Sequence, residues 1–127
     1  MGIRSRVLTI NMRIAIVGSR GYKDLDGIER FMGLLPKDSI IISGGAPGVD
    51  RHAEKVAKII GLKYNIFRAD WDKYGKSAGV IRNEIIVKNS DYVVCFYDGS
   101  SRGTASTIKL AKDLYKNLII VADTVEP

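Results

Sequence analysis

The sequence predicts an α/β domain built on a doubly wound, mainly parallel sheet of five strands with helices on both faces. Short apolar runs rich in β-branched residues alternate with segments whose side chains recur at helical spacing. The apolar runs are nearly continuous, which is typical of strands buried on both faces of a parallel sheet. The length of 127 residues is that of a single domain.

Five segments have the pattern of strands: residues 12–18, 39–42, 63–67, 91–97 and 117–121. Four segments between the strands are predicted helices, because their buried-type side chains recur at helical spacing and share one face. These faces are Ile28, Phe31, Met32 and Leu35; Ala53, Val56, Ala57 and Ile60; Ile81, Ile85 and Val87; and Thr104, Ile108, Ala111 and Tyr115. Pro36 is expected to end the first helix and Gly61 the second, while the polar segment 68–77 is expected to be a loop. Right-handed crossovers favour a Rossmann-like open sheet, which binds ligands outside the carboxyl ends of its strands.

The composition is that of an ordinary soluble protein, with 46% hydrophobic and 27% charged residues. No apolar run approaches the ~18 residues of a membrane helix, so no membrane partner is expected. The single cysteine, Cys95, and the single histidine, His52, exclude an internal disulfide and a Cys- or His-rich metal centre. We therefore expect a cytoplasmic protein with no metal and no cofactor, in which Cys95 packs in the core and His52 faces solvent.

The net charge of +6 and the pI near 9.5 are compatible with nucleic acid, nucleotides or other phosphorylated partners. The basic residues are spread over the N-terminus and several predicted helices, so charge alone does not decide among these partners. Residues 1–11 are expected to be an N-terminal extension or an alternative start, and residues 12–127 the Rossmann-like domain.

Three predicted strands run into glycine-bearing loops: the first into Gly18-Ser19-Arg20, the second into residues 43–50 and the fourth into residues 98–104. Glycine lets a ligand approach the backbone, and amides at a helix N-terminus together with arginine suit a phosphate. Each loop alone fits a plain turn or a helix cap equally well. Three of them at one edge of the sheet predict an anion-binding site.

The second loop lacks both the GxGxxG pattern and the Walker lysine, so a standard dinucleotide or NTPase site is not predicted. Asp50 fits a cap of the following helix and a ligand of a ribose hydroxyl equally. Arg82 and Asn83 fit either the site or a solvated helix face, and Trp71 fits base stacking, a cap on the core or an oligomer interface. The predicted ligand-binding residues are Gly18, Ser19, Arg20, Gly44, Gly45, Gly48, Asp50, Trp71, Arg82, Asn83, Asp98, Gly99, Ser101, Arg102, Gly103 and Thr104.

In combination these residues resemble the SLOG superfamily, and within it the short stand-alone domains of the YspA-like branch. The matching pieces are Gly18-Ser19-Arg20, Ser43-Gly44-Gly45-Ala46 with Gly48-Val49-Asp50, Ala69-Asp70-Trp71 with Tyr74-Gly75-Lys76, Gly79 with Arg82-Asn83, and Asp98-Gly99 with Ser101-Arg102-Gly103-Thr104. They extend from Met12 to about Val121, nearly the whole chain. The resemblance implies a Rossmann-like domain that binds a nucleotide or nucleotide-derived ligand and associates with itself.

Two relatives of that superfamily suggest different functions. The cytokinin-activating phosphoribohydrolases release a base from a nucleoside monophosphate and carry a PGGxGTxxE loop with an arginine on a preceding helix. Arg82 is similar to that arginine and Gly103-Thr104 to the GT, but Thr107 stands in place of the glutamate. DNA-processing protein A binds single-stranded DNA on a similar domain, yet only residues 71–76 interleave aromatic and basic side chains here.

The resemblance therefore predicts a binding module or sensor rather than an enzyme. A hydroxyl cannot replace a carboxylate that stabilises an oxocarbenium-like centre or activates water. A base-releasing hydrolase is the alternative; it would need another carboxylate, from a partner subunit or from among Asp50, Asp70, Asp72, Glu84 and Asp98. Single-stranded DNA binding is the third interpretation.

Overall fold

The sheet has five strands in the order β3-β2-β1-β4-β5. The computed structural model describes residues 12–124. The strands are β1 (Arg13–Gly18), β2 (Ile40–Ser43), β3 (Lys63–Ile66), β4 (Tyr92–Tyr97) and β5 (Asn117–Ala122). All neighbouring strands pair in parallel, so the predicted doubly wound α/β fold is confirmed. The predicted extension, residues 1–11, lies outside the described residues, and the domain boundary at Met12 stays a prediction.

Helices cover both faces of the sheet. They are α1 (Leu25–Gly33), α2 (Val49–Ile60), α3 (Trp71–Tyr74), α4 (Ala78–Lys88) and α5 (Arg102–Asp113), with a 3-10 turn at Gly75–Ser77 before α4. Ile14 and Ile16 of β1 pack with α1 and α2, whereas Ala15 and Val17 pack with α4 and α5. Because successive side chains of a strand point to opposite faces, one apolar run contributes to two cores.

The segment 68–77, predicted as a polar loop, is partly helical. Asp70 Oδ1 accepts a hydrogen bond of 3.1 Å from the Lys73 amide and so caps the first turn of α3. Neither α3 nor the 3-10 turn buries a side chain, so neither leaves an apolar period in the sequence. The sequence therefore signals the cap but not the helix that follows it.

Cys95 lies in β4 with no exposed surface and packs against Ala15 and Val17, as predicted for a core residue. Burial, together with the charge of Asp50, raises the pKa of the Cys95 thiol to about 12. The thiol is therefore protonated at neutral pH and lacks the thiolate character of a reactive cysteine.

No helix among residues 12–124 has the length and hydropathy needed to cross a membrane.

The chain changes direction across the sheet at β1. It runs outward from β1 to β2 and β3, then returns to build β4 and β5 on the other side. β1 and β4 are neighbours, and Gly18 at the end of β1 lies opposite Phe96 of β4. In open α/β sheets a crevice forms at such a reversal, outside the carboxyl ends of the strands.

Candidate functional site

A cleft of about 430 Å³ opens at this reversal and is called the main cleft below. Its walls are the loops after β1, β2 and β4 and the region from the 3-10 turn into α4. The volume lies within the range of small-molecule sites. Nine of the predicted ligand-binding residues line it: Gly18, Arg20, Asp50, Arg82, Asn83, Asp98, Ser101, Gly103 and Thr104.

The three predicted loops meet, and the loop after β1 lies between the other two. The Asp98 amide donates a 3.2 Å hydrogen bond to Ser19 Oγ, which joins the β4 loop to the β1 loop. On the other side, a Cβ on Gly48 would lie 2.9 Å from Arg20 Cα. Gly48 has a φ of +91°, so both its conformation and its neighbour require glycine. The predicted convergence of these loops at one edge is confirmed.

Asp50 organises the β2–α2 loop from the inside. Only 4% of the residue is exposed, and its Oδ2 accepts a 3.1 Å hydrogen bond from the Gly44 amide. The amides of Gly18 and Ala46 also favour the charged form of this carboxyl group. The loop amides were predicted to bind a phosphate; the Gly44 amide donates instead to this internal carboxylate, and a phosphate at the other amides stays a prediction.

The environment of Asp50 shifts its pKa upward. Burial raises the pKa of this carboxyl group to about 6, although the nearby Arg82 charge and the loop amides act in the opposite direction. About a tenth of the groups are therefore still protonated near pH 7. Of the two predicted roles, a bond to a ribose hydroxyl stays a prediction; the observed bonds brace the loop.

Arg82 projects into the site, as one of its two interpretations required. Its Nη1 donates a 2.7 Å hydrogen bond to the Gly44 carbonyl, and its Nε donates a 2.8 Å hydrogen bond to Asn83 Oδ1. A Cβ on Gly44 would lie 2.7 Å from Arg82 Cδ. Gly44 thus leaves the space in which the arginine lies along the loop.

Asp98 organises the β4–α5 loop at the protein surface. Its Oδ1 accepts hydrogen bonds of 2.9 Å from the amides of both Ser100 and Ser101. These amides, that of Ser100 first, lower the pKa of the Asp98 carboxyl group. The cleft therefore contains one carboxylate that stays ionised at neutral pH.

Three hydroxyl groups that were predicted to bind ligand hold the loops together. Ser19 Oγ and Thr104 Oγ1 lie 3.2 Å apart, and Thr104 Oγ1 also donates to Ser101 Oγ at 3.2 Å. Ser101 Oγ accepts the Thr104 amide and caps α5. Ser19 is 1% exposed and does not line the main cleft.

The remaining predicted residues divide into two groups. Gly48, Gly99 and the exposed Arg102 line neither the main cleft nor the second cavity described next. Gly44, Gly45 and Trp71 line a second cavity of about 260 Å³ beside the main cleft. It is called the arginine pocket below because its lining includes Arg20, Arg51, Arg68 and Arg82.

Four lining residues with polar or charged side chains were absent from the predicted set: Arg51 and Arg68 in the arginine pocket, and Lys76 and Thr107 in the main cleft. Arg68 follows β3, whose carboxyl end lies at the same edge as those of β1, β2 and β4. Applying the strand-end rule to β3 as well would have found Arg68. Thr107 Oγ1 donates a 3.1 Å hydrogen bond to the Gly103 carbonyl within its own helix.

His52 does not face solvent as predicted. Its side chain is 16% exposed, and Nε2 lies 3.4 Å from Glu29 Oε1 of α1. The residue therefore joins α2 to α1 on one face of the sheet, away from the lining of either cavity. Across residues 12–124, no three His, Cys, Asp or Glu side chains come together in a way that could hold a metal ion.

Comparison with known proteins identifies the family. A family model described as "YspA, cpYpsA-related SLOG family" matches residues 12–74, which span β1 to α3. The gene 61 protein of Mycobacterium phage D29 is 32% identical over 110 residues, which cover 79% of this chain and 88% of that protein. The chain belongs to this SLOG family. The resemblance predicted from the sequence motifs is confirmed.

Two solved structures share the fold of this SLOG domain. DNA processing protein A (DprA) from Streptococcus pneumoniae superposes with a TM-score of 0.75 at 21% identity, covering 89% of this chain and 51% of that one. DNA processing protein A from Helicobacter pylori, which binds single-stranded DNA, gives a TM-score of 0.68 at 22% identity, covering 91% and 67%. The SLOG domain thus spans about half the length of the pneumococcal protein. At these identities the likeness establishes the fold.

Proposed function

We propose that this SLOG domain is a binding module for a nucleotide or nucleotide-derived ligand held in the main cleft. The observation that supports it most is the convergence of three glycine-bearing loops, with Arg20 and Arg82, on one cleft at the reversal of strand order. Family and fold support a nucleotide- or nucleic-acid-binding module in general. The cleft volume of about 430 Å³ favours a small ligand over a strand.

The charges in the cleft suit the two ends of a nucleotide. Arg20, Arg82 and Lys76 supply cations for a phosphate, and the arginines can donate two parallel hydrogen bonds to its oxygens. Asp98 Oδ1 accepts hydrogen bonds from the amides of Ser100 and Ser101, and no backbone amide of residues 12–124 donates to the other carboxylate oxygen, Oδ2. Oδ2 is therefore the acceptor that we assign to a ribose hydroxyl.

Replacing Arg20 tests this proposal. Within residues 12–124 the Arg20 side chain makes no hydrogen bond or ion pair, so Arg20→Gln should leave the fold intact. Titration calorimetry with AMP at low salt should show a loss of affinity of at least about tenfold, since a hydrogen bond to a charged group contributes about 1.5–3 kcal/mol. Arg30→Gln is the matched control, because Arg30 lies in the last turn of α1 with its side chain 71% exposed.

Two results would contradict the proposal. The first is that no nucleotide binds when AMP, cyclic nucleotides, ADP-ribose and NAD are tested at about millimolar concentration, which is high enough to detect weak ligands. The other is an equal loss of affinity in Arg20→Gln and Arg30→Gln, which would mean that the ligand responds only to net charge.

A base-releasing hydrolase is the second candidate, and one observation favours it. Asp50 and Asp98 line the same cleft with pKa values shifted in opposite directions, an arrangement that separates an acid from a charged stabilising group in many enzymes. Thr107, in the position of the phosphoribohydrolase glutamate, offers only a hydroxyl that is bonded within its helix. We therefore expect AMP to bind without release of adenine. Adenine release that disappears in Asp98→Asn, with AMP binding retained, would establish the enzyme.

We also propose that the domain associates with itself, as the family resemblance implies. β5 is the strand that we assign to the contact. β5 is an edge strand with no charged residue, and its Ile119 and Ile120 are 42% and 47% exposed. Uncharged edge strands of this length favour pairing with another chain. Light scattering should show a dimer that Ile119→Lys dissociates. A monomer in the unmodified protein would refute this part of the proposal.

A further inference from the structure

The arginine pocket adjoins the main cleft. Arg20, Ala46 and Arg82 line both cavities, whose volumes are about 260 and 430 Å³. A ligand seated in the main cleft can therefore extend into the arginine pocket past these three residues. The two cavities are therefore adjacent, and they are called the two compartments of the site below.

The two compartments differ in charge. Asp50 and Asp98 line the main cleft beside its cations, whereas the lining of the arginine pocket within residues 12–124 contains four arginines and no carboxylate. Arg68 has Glu54 as a partner and Arg82 lies near Asp50. Arg20 and Arg51, in contrast, have no carboxylate partner among residues 12–124, so the cavity keeps a positive charge that attracts an anion. The planar, forked donors of these arginines match the oxygens of a phosphate.

The protein holds three of these arginines in position. Arg82 and Arg51 donate to carbonyls of the β2–α2 loop at 2.7 and 3.4 Å. Arg68 Nη2 lies 3.2 Å from both carboxylate oxygens of Glu54. A guanidinium has five N–H groups, and these bonds occupy only part of each fork. The remaining donors are preorganised around the cavity, which reduces the entropy lost when an anion binds.

Trp71 supplies an aromatic surface at the same place. The residue lines the arginine pocket and is 58% exposed. Its Cη2 lies 3.5 Å from the position that a Cβ on Gly79 would take, and Gly79 lines the main cleft. The indole thus reaches from one compartment toward the other, and more than half of the residue is exposed. An exposed aromatic ring next to arginines is suited to stack on a nucleotide base.

We propose that the arginine pocket binds the second phosphate-bearing unit of a dinucleotide-type ligand, with Trp71 stacked on its base. This inference rests on the proposed function, because the first nucleotide unit occupies the main cleft. The limited volume of the two joined cavities favours a ligand of two units over a long strand. Such a ligand binds in both compartments and therefore gains affinity over a mononucleotide, which occupies the main cleft alone.

Binding of three probes to the full chain tests the inference: AMP, the pyrophosphate-linked NAD and the phosphodiester-linked pApA. Trp71 is the only tryptophan, so quenching of its fluorescence reports occupancy of the arginine pocket, and calorimetry gives the affinities. The double variant Arg51→Gln/Arg68→Gln removes two cations that line only this pocket. Glu54 keeps Lys58 as a partner at 3.2 Å in that variant, and thermal unfolding verifies that it is folded.

The matched control is Arg30→Gln/Lys112→Gln, which removes the same charge from the last turns of α1 and α5. We expect NAD or pApA to bind at least about tenfold more tightly than AMP and to quench Trp71 more strongly. The pocket variant should abolish that advantage while AMP affinity stays within about twofold, and the control should change neither. Whichever dinucleotide has the advantage identifies the linkage that the site accepts.

The failures of the two proposals are distinguishable. If AMP binds but neither dinucleotide binds more tightly, or if the pocket variant weakens AMP and the dinucleotides equally, this inference is overturned and the proposed function stands. If none of the three binds, the proposed function falls as well. A single-stranded DNA of about 20 nucleotides, longer than one domain usually covers, is the last probe. Tight binding of that strand through Arg51 and Arg68, with no dinucleotide advantage, would overturn the inference in favour of a nucleic-acid surface.

Discussion

The β2–α2 loop and the β4–α5 loop use one hydrogen-bonding device with opposite electrostatic results. In each loop an aspartate that lines the main cleft accepts hydrogen bonds from loop amides. The pKa of Asp50 is raised to about 6, whereas the pKa of Asp98 is lowered. The amides favour the charged form in both, but Asp50 has lost its water and Asp98 has not. Depth below the surface therefore decides whether the pKa of a loop aspartate is raised or lowered here.

The largest effect that separates the two loops should come from a matched pair of glycine substitutions. Gly48 has a φ of +91° and Gly99 a φ of +90°, so alanine is strained by about 1–3 kcal/mol at either position. At Gly48 the new Cβ also lies 2.9 Å from Arg20 Cα, whereas at Gly99 it meets open space. Urea unfolding should therefore show Gly48→Ala to be less stable than Gly99→Ala by a further ~1–3 kcal/mol.

Equal losses in the two variants would show that the β1 and β2–α2 loops can separate without cost. In that case the tight packing between Gly48 and Arg20 would not be what positions Arg20 in the cleft.

The second-largest effect is expected in the pH dependence of the free energy of unfolding, through the titration of Asp50. The pKa of Asp50 is raised from 3.8 to about 6 in the folded chain, so the fold binds this proton more tightly than the unfolded chain does. Its contribution to stability is fully present below about pH 4 and is lost as the pH rises through 6, about 3 kcal/mol in all. Asp50→Asn cannot titrate, so the stability of the variant should rise relative to the unmodified protein across this window.

Denaturation of both proteins between about pH 4 and pH 7 measures that change, and a carbon-detected NMR titration of the Asp50 carboxyl group measures its midpoint directly. Asp98→Asn is the control and should keep the same loss above pH 4. A titration midpoint of Asp50 near 3.8 would mean that the loop opens enough to admit water.

The smallest effect is expected at Asp98, and on the acid side. Its pKa is lowered by the Ser100 and Ser101 amides, so its contribution to stability is present above the unfolded value of 3.8 and is lost as the pH falls through the folded value. Asp98→Asn should flatten the acid limb of the stability curve slightly and leave the slope of the curve above about pH 5 unchanged. A steeper acid limb in the variant would contradict the assigned bonds.

Much of the fold follows from local sequence signals. Runs with β-branched residues mark β1, β2, β4 and β5, and the alternation of Tyr64 and Ile66 with polar residues marks β3. Gly61 ends α2 in the left-handed conformation, with a φ of +81°, as its position predicts. The meeting of the β1, β2 and β4 loops follows in turn, because parallel strands bring their carboxyl ends to one edge.

The interior of the site was less predictable, because it depends on distances between remote segments. Ser19 and Thr104 are 85 positions apart in the chain, yet their hydroxyl groups pair, and the Ser19 side chain does not line the main cleft. Arg68 crosses over Gly45, where a Cβ would collide with its Nη1. Residue type suggested an anion site, but only the burial of Asp50 shows that one negative charge of the site is a side chain of the protein itself.

The strand order has a consequence for how the chain folds while it is being synthesised. β1, β2 and β3 can pair while the ribosome is still adding the second half of the protein, but β1 is a central strand whose other edge stays open until β4 arrives. Arg13 and its partner Asp91 are separated by 78 positions, and such long-range parallel pairing is slow. The nascent chain therefore exposes an apolar edge that other chains can pair with, and the ligand site is completed only when β4 docks.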